Sequence, residues 1–212
     1  MKRVIIFLFV ACATLVSGAK IDLSKIKSFV AQSPIEYKGL VDRFVQADTT
    51  LTIDELSTVY YGTPFYVGFT MGKYDAQLDE LYINASTVEQ YDVVSLVAQR
   101  ALNENPASFD LIVKAIVGAN NGSDENAKKQ LENLRTRYEM IFNAILGSGA
   151  GVTSDAPCYV TSRNDMMKYL SHAFGVVEVL EECQISGCKA VKVNYLSGED
   201  MKEAIIYVKI ID

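Results

Sequence analysis

The hydrophobic periodicity of the chain changes once, at the glycine-rich segment 147–151. Before it, apolar residues recur every three or four positions, the period of amphipathic helices. After it, apolar and polar residues alternate along 190–195 and 204–211, the period of half-buried strands. Helices gathered in one part of a chain and strands in another define the α+β class. We therefore predict an α+β protein with a helical region over 20–147 and a small α+β region over 152–212, in which one helix covers a small antiparallel sheet.

Start signals locate several of the helices. Thr52 and Glu55 form a capping-box pattern, and we expect the helix that they open to end at Gly62 in a left-handed conformation. A second pattern of this kind, at 87–90, predicts a helix over 87–103. Ser108 is expected to cap the next helix, and a long helix should run from about Asp124 to Leu146. The segment 63–73, rich in glycine and aromatic residues, is predicted to be a loop.

The first residues have the pattern of a targeting signal. A short basic segment, Met1-Lys2-Arg3, precedes an uncharged apolar run over 4–16, and the small residues Ser17-Gly18-Ala19 follow. This order is typical of a secretory signal peptide, which we assign to 1–19. The apolar run is shorter than the ~20 residues of a spanning helix, so we predict no transmembrane segment in the mature chain. The expected location is periplasmic or extracellular.

An alternative for the same segment is a lipid anchor. Phe9-Val10-Ala11-Cys12 loosely matches a bacterial lipoprotein box, and a diacylated Cys12 would tether the protein to a membrane. The apolar run continues past Cys12 through Val16, which favours the cleaved, exported form. Both alternatives remain open on the sequence.

Two resemblances extend this interpretation. The segment 87–147, with its Asn105-Pro106 break, resembles a tetratricopeptide-like helical hairpin. The chain as a whole resembles an uncharacterised domain-of-unknown-function family of exported proteins from Gram-negative bacteria, on the marks Asp48-Thr49-Thr50-Leu51-Thr52 and Tyr60-Tyr61-Gly62. This family resemblance implies an exported helical-plus-sheet domain and supplies no catalytic residues.

Composition excludes some classes of partner and of chemistry. Twenty Lys and Arg stand against 26 Asp and Glu, giving a net charge of −6. This acidic balance argues against a nucleic-acid-binding protein, which would carry a basic stripe. A single His and four Cys offer no metal-ligand spacing, so we predict neither a metal site nor a cofactor.

An aromatic cluster is the strongest candidate for ligand binding. Such side chains around a glycine-containing loop can line a pocket, although they fill protein cores as readily. The candidate residues are Tyr60, Tyr61, Phe65, Tyr66 and Phe69. Packing within the helical layer is the alternative for the same residues.

The cysteines offer a second candidate feature. Cys183 and Cys188 flank a Gly-containing turn between two candidate strands. A hairpin of this size could bring them within disulfide distance, and an exported protein would allow the bond to form. A disulfide and a pair of free thiols are therefore both open, with Cys158 left as a buried small residue.

Reactive groups of a hydrolase are not evident. Ser171 and His172 are adjacent on a predicted helix and point about 100° apart, so they cannot act together as nucleophile and base. We therefore predict a non-enzymatic binding or interaction module whose partner is a protein or a small ligand. The alternative is a hydrolase of an envelope or extracellular polymer, for which two carboxylates facing one cleft would be required.

Overall fold

The computed structural model describes residues 21–88, 90–198 and 200–211. The signal peptide predicted over 1–19 and the candidate lipidation site Cys12 lie outside the described residues. Within the described ranges, every helix is too short or too polar to cross a lipid bilayer.

Helices form the first part of the chain. A 3₁₀ turn, Thr63–Phe65, directly follows the helix that ends at Gly62. In chain order the helices are α1 (Leu23–Gln32), α2 (Pro34–Val45), α3 (Ile53–Gly62), α4 (Asp75–Val88), α5 (Tyr91–Glu104), α6 (Phe109–Asn121), α7 (Glu125–Lys129) and α8 (Leu131–Leu146). The predicted helical region is thus confirmed as the N-terminal part of an α+β fold.

The C-terminal part contains the sheet. Its elements are β1 (Cys158–Val160), α9 (Arg163–Phe174), β2 (Val176–Ile185), β3 (Cys188–Ser197) and β4 (Asp200–Ile210). The strand order is β1-β4-β3-β2. The three long strands are antiparallel, as predicted, whereas β1 lies parallel to β4. The sheet is therefore mixed, with one parallel pair and two antiparallel pairs.

Two predicted helix starts are confirmed by their hydrogen bonds. The Thr52 hydroxyl accepts from the Glu55 backbone N–H at 3.2 Å, and the Glu55 carboxylate accepts from the Thr52 backbone N–H at 2.8 Å. The Ser108 hydroxyl accepts from the Leu111 N–H at the start of α6. Each bond satisfies a donor that a helix N-terminus leaves without an intrahelical partner.

Two predicted helix assignments are wrong. The helix expected to start at position 87 begins at Tyr91, because α4, which was not predicted, extends to Val88. The long helix expected up to Leu146 is divided at Gln130, whose N–H donates to the Ala127 carbonyl in a tighter, 3₁₀-type turn.

Gly62 does not have the predicted left-handed conformation. Its φ is −83°, and it is the last residue of α3. A Cβ atom at this position would lie 2.5 Å from the Tyr37 ring. Gly62 is therefore required by close packing between α3 and α2, not by helix termination.

The helical and sheet regions share one hydrophobic core. It runs from Ile26 in α1 through Ile112 in α6 to Val208 in β4. The α5–α6 pair packs closely at Gly118, where an added Cβ would lie 2.6 Å from the Ser95 backbone nitrogen. Small residues at such crossings allow helices to approach closely.

Candidate functional site

Tyr60 and Tyr61, two of the predicted ligand-binding residues, belong to the core. Both are 0% exposed. The Tyr60 hydroxyl donates to Asp165, and the Tyr61 hydroxyl lies 3.2 Å from the Tyr159 carbonyl oxygen. Burial raises the pKa of both phenols above the usual value of 10.0. Their position under α8 and β1 leaves neither ring a surface that a ligand could contact.

The other three candidate aromatics lie nearer the surface. Phe65, Tyr66 and Phe69 are half-buried. The Tyr66 ring packs on Tyr37 with centroids 5.2 Å apart and on Phe69 at 4.8 Å. Phe69 also lines the groove between α2, α5 and α8 that is described below, so a ligand-binding role stays a prediction for this part of the cluster.

An open groove of about 620 Å³ lies between α2, α5 and α8, and we call it the Arg137 groove. This volume is typical of small-molecule sites, which measure ~300–1,000 Å³. Its apolar lining includes Val41, Phe69, Leu102 and Leu134. Its charged lining consists of Lys38, Asp42, Lys129 and Arg137.

Arg137 has an unusual environment for an arginine. The residue is 6% exposed, and its Nη2 donates to the Pro106 carbonyl oxygen at 2.6 Å. Nε has no hydrogen-bond partner, and no carboxylate of the described chain lies within salt-bridge distance. The guanidinium carbon lies 5.1 Å from the centre of the Phe44 ring. Burial lowers the pKa of Arg137 to about 10, so the group still carries its charge at neutral pH.

Sequence reasoning missed Arg137, although a signal was present. The residue lies three positions after Leu134 and four before Ile141, which both face the core. A charged residue on such an apolar stripe lies on the side of the helix that faces the core. The pattern therefore indicated that Arg137 is buried. It could not show that no carboxylate of the described chain lies nearby, because that depends on how α2 and α5 pack.

A second polar site centres on the buried carboxylate of Asp165 in α9. It accepts hydrogen bonds at 2.9 Å from the hydroxyls of Tyr60, Ser108 and Thr161 and from the Asp110 backbone N–H. These donors come from α3, from the start of α6 and from the segment after β1. Since four donors saturate both oxygens, Asp165 joins structural elements and has no free lone pair aimed at solvent.

Next to this site is a pocket of about 300 Å³, which we call the Asp110 pocket. Its lining includes Asp75, Asn105, Ser108, Asp110 and Asn164. Asp110 accepts from Lys114 Nζ at 2.6 Å, and Lys114 also pairs with Asp79 of α4. Burial raises the pKa of Asp110 to about 6 and also raises the pKa of Asp75. The pocket thus holds two carboxyl groups that take up a proton more readily than usual.

Of the two alternatives for Cys183 and Cys188, the structure has the pair of free thiols and not the disulfide. The turn between β2 and β3 consists of Ser186 and Gly187 alone, both with positive φ, and this tight turn sets the register. Cys183 lies opposite Ala190, and Cys188 lies opposite Ile185. The two cysteines are therefore diagonal neighbours, and such pairs are farther apart than the ~3.5–4.5 Å Cβ separation of a disulfide.

His172 has a structural environment. Its Nδ1 lies 2.9 Å from the Tyr138 hydroxyl, and its ring packs edge-on against Phe109. Burial and the charge of Lys168 lower its pKa. Across the described ranges, no group of three or more His, Cys, Asp or Glu side chains is arranged to hold a metal ion.

These features define an α+β protein with a helical layer, a groove on that layer and a buried polar junction to a mixed sheet. The chain belongs to the domain of unknown function family DUF4919, whose family model matches residues 24–195. No curated protein and no solved structure matches the chain. The family match confirms the predicted resemblance to a domain-of-unknown-function family, and the Gram-negative, exported origin that it implied stays a prediction.

Proposed function

We propose that this protein is a non-enzymatic binding module whose ligand, a small molecule or a segment of a partner protein, occupies the Arg137 groove. One observation carries the proposal, namely an open groove of about 620 Å³ whose floor contains a charged side chain without a counter-charge. Apolar walls with a few polar groups that fix orientation are typical of binding sites. Phe69, one of the aromatic residues predicted from the sequence to bind a ligand, also lines this groove.

Blocking the groove tests this function. Asn103 is exposed on α5 and lines the groove, so Asn103→Trp places a large ring across it. Asn143→Trp is the matched control, since Asn143 is exposed on α8 and does not line the groove. Fragments that bind the wild type by NMR should bind Asn103→Trp at least tenfold more weakly and Asn143→Trp equally well. Equal binding by all three proteins would place the ligand elsewhere.

Export is the second part of the proposal, and the pattern at 1–19 supports it. Mass spectrometry of the mature N-terminus distinguishes the alternatives. A free terminus near Ala19 or Lys20 is expected for the cleaved, exported form. A diacylglycerol on Cys12 would instead identify a lipid-anchored protein.

A polymer hydrolase is the second candidate function, and the Asp110 pocket is the observation that favours it. Asp75 and Asp110 line the same pocket, and the raised pKa of Asp110 suits a general acid. The Oδ1 atom of Asn105 is buried there without a hydrogen-bond partner among the described residues. The ion pair of Asp110 with Lys114 gives that carboxyl a structural role as well, which is why we rank this function second.

Activity measurements separate the two functions. If the protein is a hydrolase, release of fragments from cell-wall or extracellular polysaccharide should fall by a factor of ~10² or more in Asp110→Asn and Asp75→Asn. The groove variant Asn103→Trp should then leave that activity unchanged. Lack of fragment release by the wild type across these polymers would remove the hydrolase candidate.

A further inference from the structure

Arg137 differs from Arg43 and Arg163 in its partners. Arg43 pairs with Asp48 and Glu55, and Arg163 pairs with Glu182. Arg137 is more deeply buried than either, yet it contacts only a carbonyl oxygen and an aromatic face. Removal of a cation from water is costly unless an anion or several acceptors replace its hydration. The guanidinium therefore has one N–H group, at Nε, that the described part of the protein does not satisfy.

The lining of the Arg137 groove has the opposite charge balance to the whole protein. Three cationic side chains, Lys38, Lys129 and Arg137, face one carboxylate, Asp42. The Asp42 carboxylate already pairs with Lys38. The chain as a whole has a net charge of −6. A locally basic groove on an acidic protein attracts anions and concentrates them at one place.

The walls of the groove specify the rest of the ligand. Val45 of α2 and Phe69 keep exposed side-chain area and present an apolar surface to the groove that contains Arg137. A guanidinium presents planar, parallel N–H groups that match the two oxygens of a carboxylate or phosphate. A fully hydrated inorganic anion would leave the apolar walls uncovered. An anion with an organic body satisfies both parts of the groove.

We propose that the Arg137 groove binds an organic oxyanion, a carboxylate or a phosphate monoester on an apolar body, whose oxygens accept hydrogen bonds from the guanidinium of Arg137, including its unpaired Nε–H. This inference rests on the proposed binding function and adds the chemical class of its ligand. Lys129 at the rim supplies long-range attraction, and Arg137 at the floor supplies the directed contact.

The test uses four probes with the same alkyl chain: octanoate, octyl phosphate, 1-octanol and octylamine. Binding is followed by the Arg137 Nε–H resonance in ¹H–¹⁵N spectra of the wild type, with the carboxylate-paired Arg43 as internal reference. We expect octanoate or octyl phosphate to shift the Arg137 resonance and to bind at least tenfold more tightly than 1-octanol. The tighter of the two anions identifies the carboxylate or the phosphate as the preferred group.

Variants make the assignment specific. Arg137→Met keeps the length of the side chain and removes its charge, and it should weaken anion binding at least tenfold. Arg137→Lys keeps the charge without the planar donors and should give an intermediate loss. Arg135→Met, on the exposed face of α8 two positions away, is the matched control and should bind like the wild type.

The outcomes separate this inference from the proposed function. If 1-octanol and octanoate bind equally and both depend on the open groove in Asn103→Trp, the groove binds ligands but the oxyanion proposal is wrong. If the anions bind the wild type and Arg137→Met equally, Arg137 is not their receptor. If no probe binds and Asn103→Trp changes no fragment interaction, both proposals fail together.

Discussion

The Tyr60 hydroxyl donates a 2.9 Å hydrogen bond to Asp165 across 105 positions of sequence. It joins α3, in the helical region, to α9, beside the sheet. The same phenol oxygen accepts from the Thr161 backbone N–H at 3.2 Å. Because both residues are buried, this contact links the two halves of the α+β fold through polar atoms as well as through the shared core.

Tyr60→Phe is expected to destabilise the protein by about 1.5–3 kcal/mol, the usual contribution of a hydrogen bond to a charged group. The substitution removes one of four donors to Asp165 and the acceptor for Thr161 N–H, while the ring and its packing remain. Denaturant unfolding followed by circular dichroism measures the free energy of unfolding directly.

Tyr61→Phe is the matched control for that measurement. Its hydroxyl contacts uncharged groups, two carbonyl oxygens at 3.2 and 3.3 Å and the Ser148 side chain, so the expected loss is about 0.5–1.5 kcal/mol. An equal or smaller loss in Tyr60→Phe than in Tyr61→Phe would contradict the central role of the Tyr60–Asp165 contact.

Two glycines inside helices should respond to alanine in opposite directions. A Cβ at Gly118 in α6 would lie 2.6 Å from the Ser95 backbone nitrogen in α5, so Gly118→Ala should cost about 1–3 kcal/mol through overpacking. Gly39 in α2 has open space around its Cβ position, so Gly39→Ala should stabilise by about 0.5–1 kcal/mol. Thermal and denaturant unfolding of both variants checks the signs, and stabilisation by Gly118→Ala would refute the close α5–α6 contact.

The sequence could predict those parts of the fold that local chemistry decides. Thr52, Glu55 and Ser108 cap helices through bonds that span three residues, so their patterns were sufficient. Gly62 was misinterpreted because its role comes from Tyr37, twenty-five positions earlier in the chain. The parallel pairing of β1 with β4 likewise joins distant segments, as at Cys158 and Val208, and period-2 alternation does not specify a strand's neighbour.

The candidate site was less accessible to prediction. The sequence alone does not distinguish an aromatic residue that fills the core, such as Tyr61, from one that lines a groove, such as Phe69. Asp110 and Lys114 are spaced as an i, i+4 pair, but their burial depends on α4, which brings Asp79 to the same lysine. Arg137 lay on an apolar stripe, and only the packing of three helices shows that no carboxylate accompanies it.

Asp110 should make the stability of the protein depend on pH in a defined direction. Burial raises its pKa from 3.8 to about 6. The charge of Asp165 adds to this increase, and the positive charges of Lys114 and Lys168 partly oppose it. The folded protein therefore binds this proton more tightly than the unfolded chain. The stabilisation that this bound proton gives, about 2–3 kcal/mol in total, is fully present below pH ~4 and is lost as the pH rises through about 6.

Asp110→Asn provides the measurement of this effect. The free energy of unfolding of the wild type, minus that of the variant, should fall between pH 4 and pH 7. Asp75, whose pKa is also raised by burial, remains in both proteins and cancels in the difference. Parallel pH profiles of wild type and variant would show that Asp110 titrates normally.

The cysteines should differ in reactivity according to their burial. Cys183 is exposed on the edge strand β2, whereas Cys158 and Cys188 are buried. Burial also raises the pKa of Cys158 to about 12, which removes the reactive thiolate at neutral pH. Iodoacetamide should therefore alkylate Cys183 in the native protein and the two buried cysteines only after unfolding, as peptide mapping by mass spectrometry can show. A peptide pair linked through Cys183 and Cys188 in non-reduced protein would instead mean that the β2–β3 hairpin adopts a different register, since the observed one places each cysteine opposite another residue.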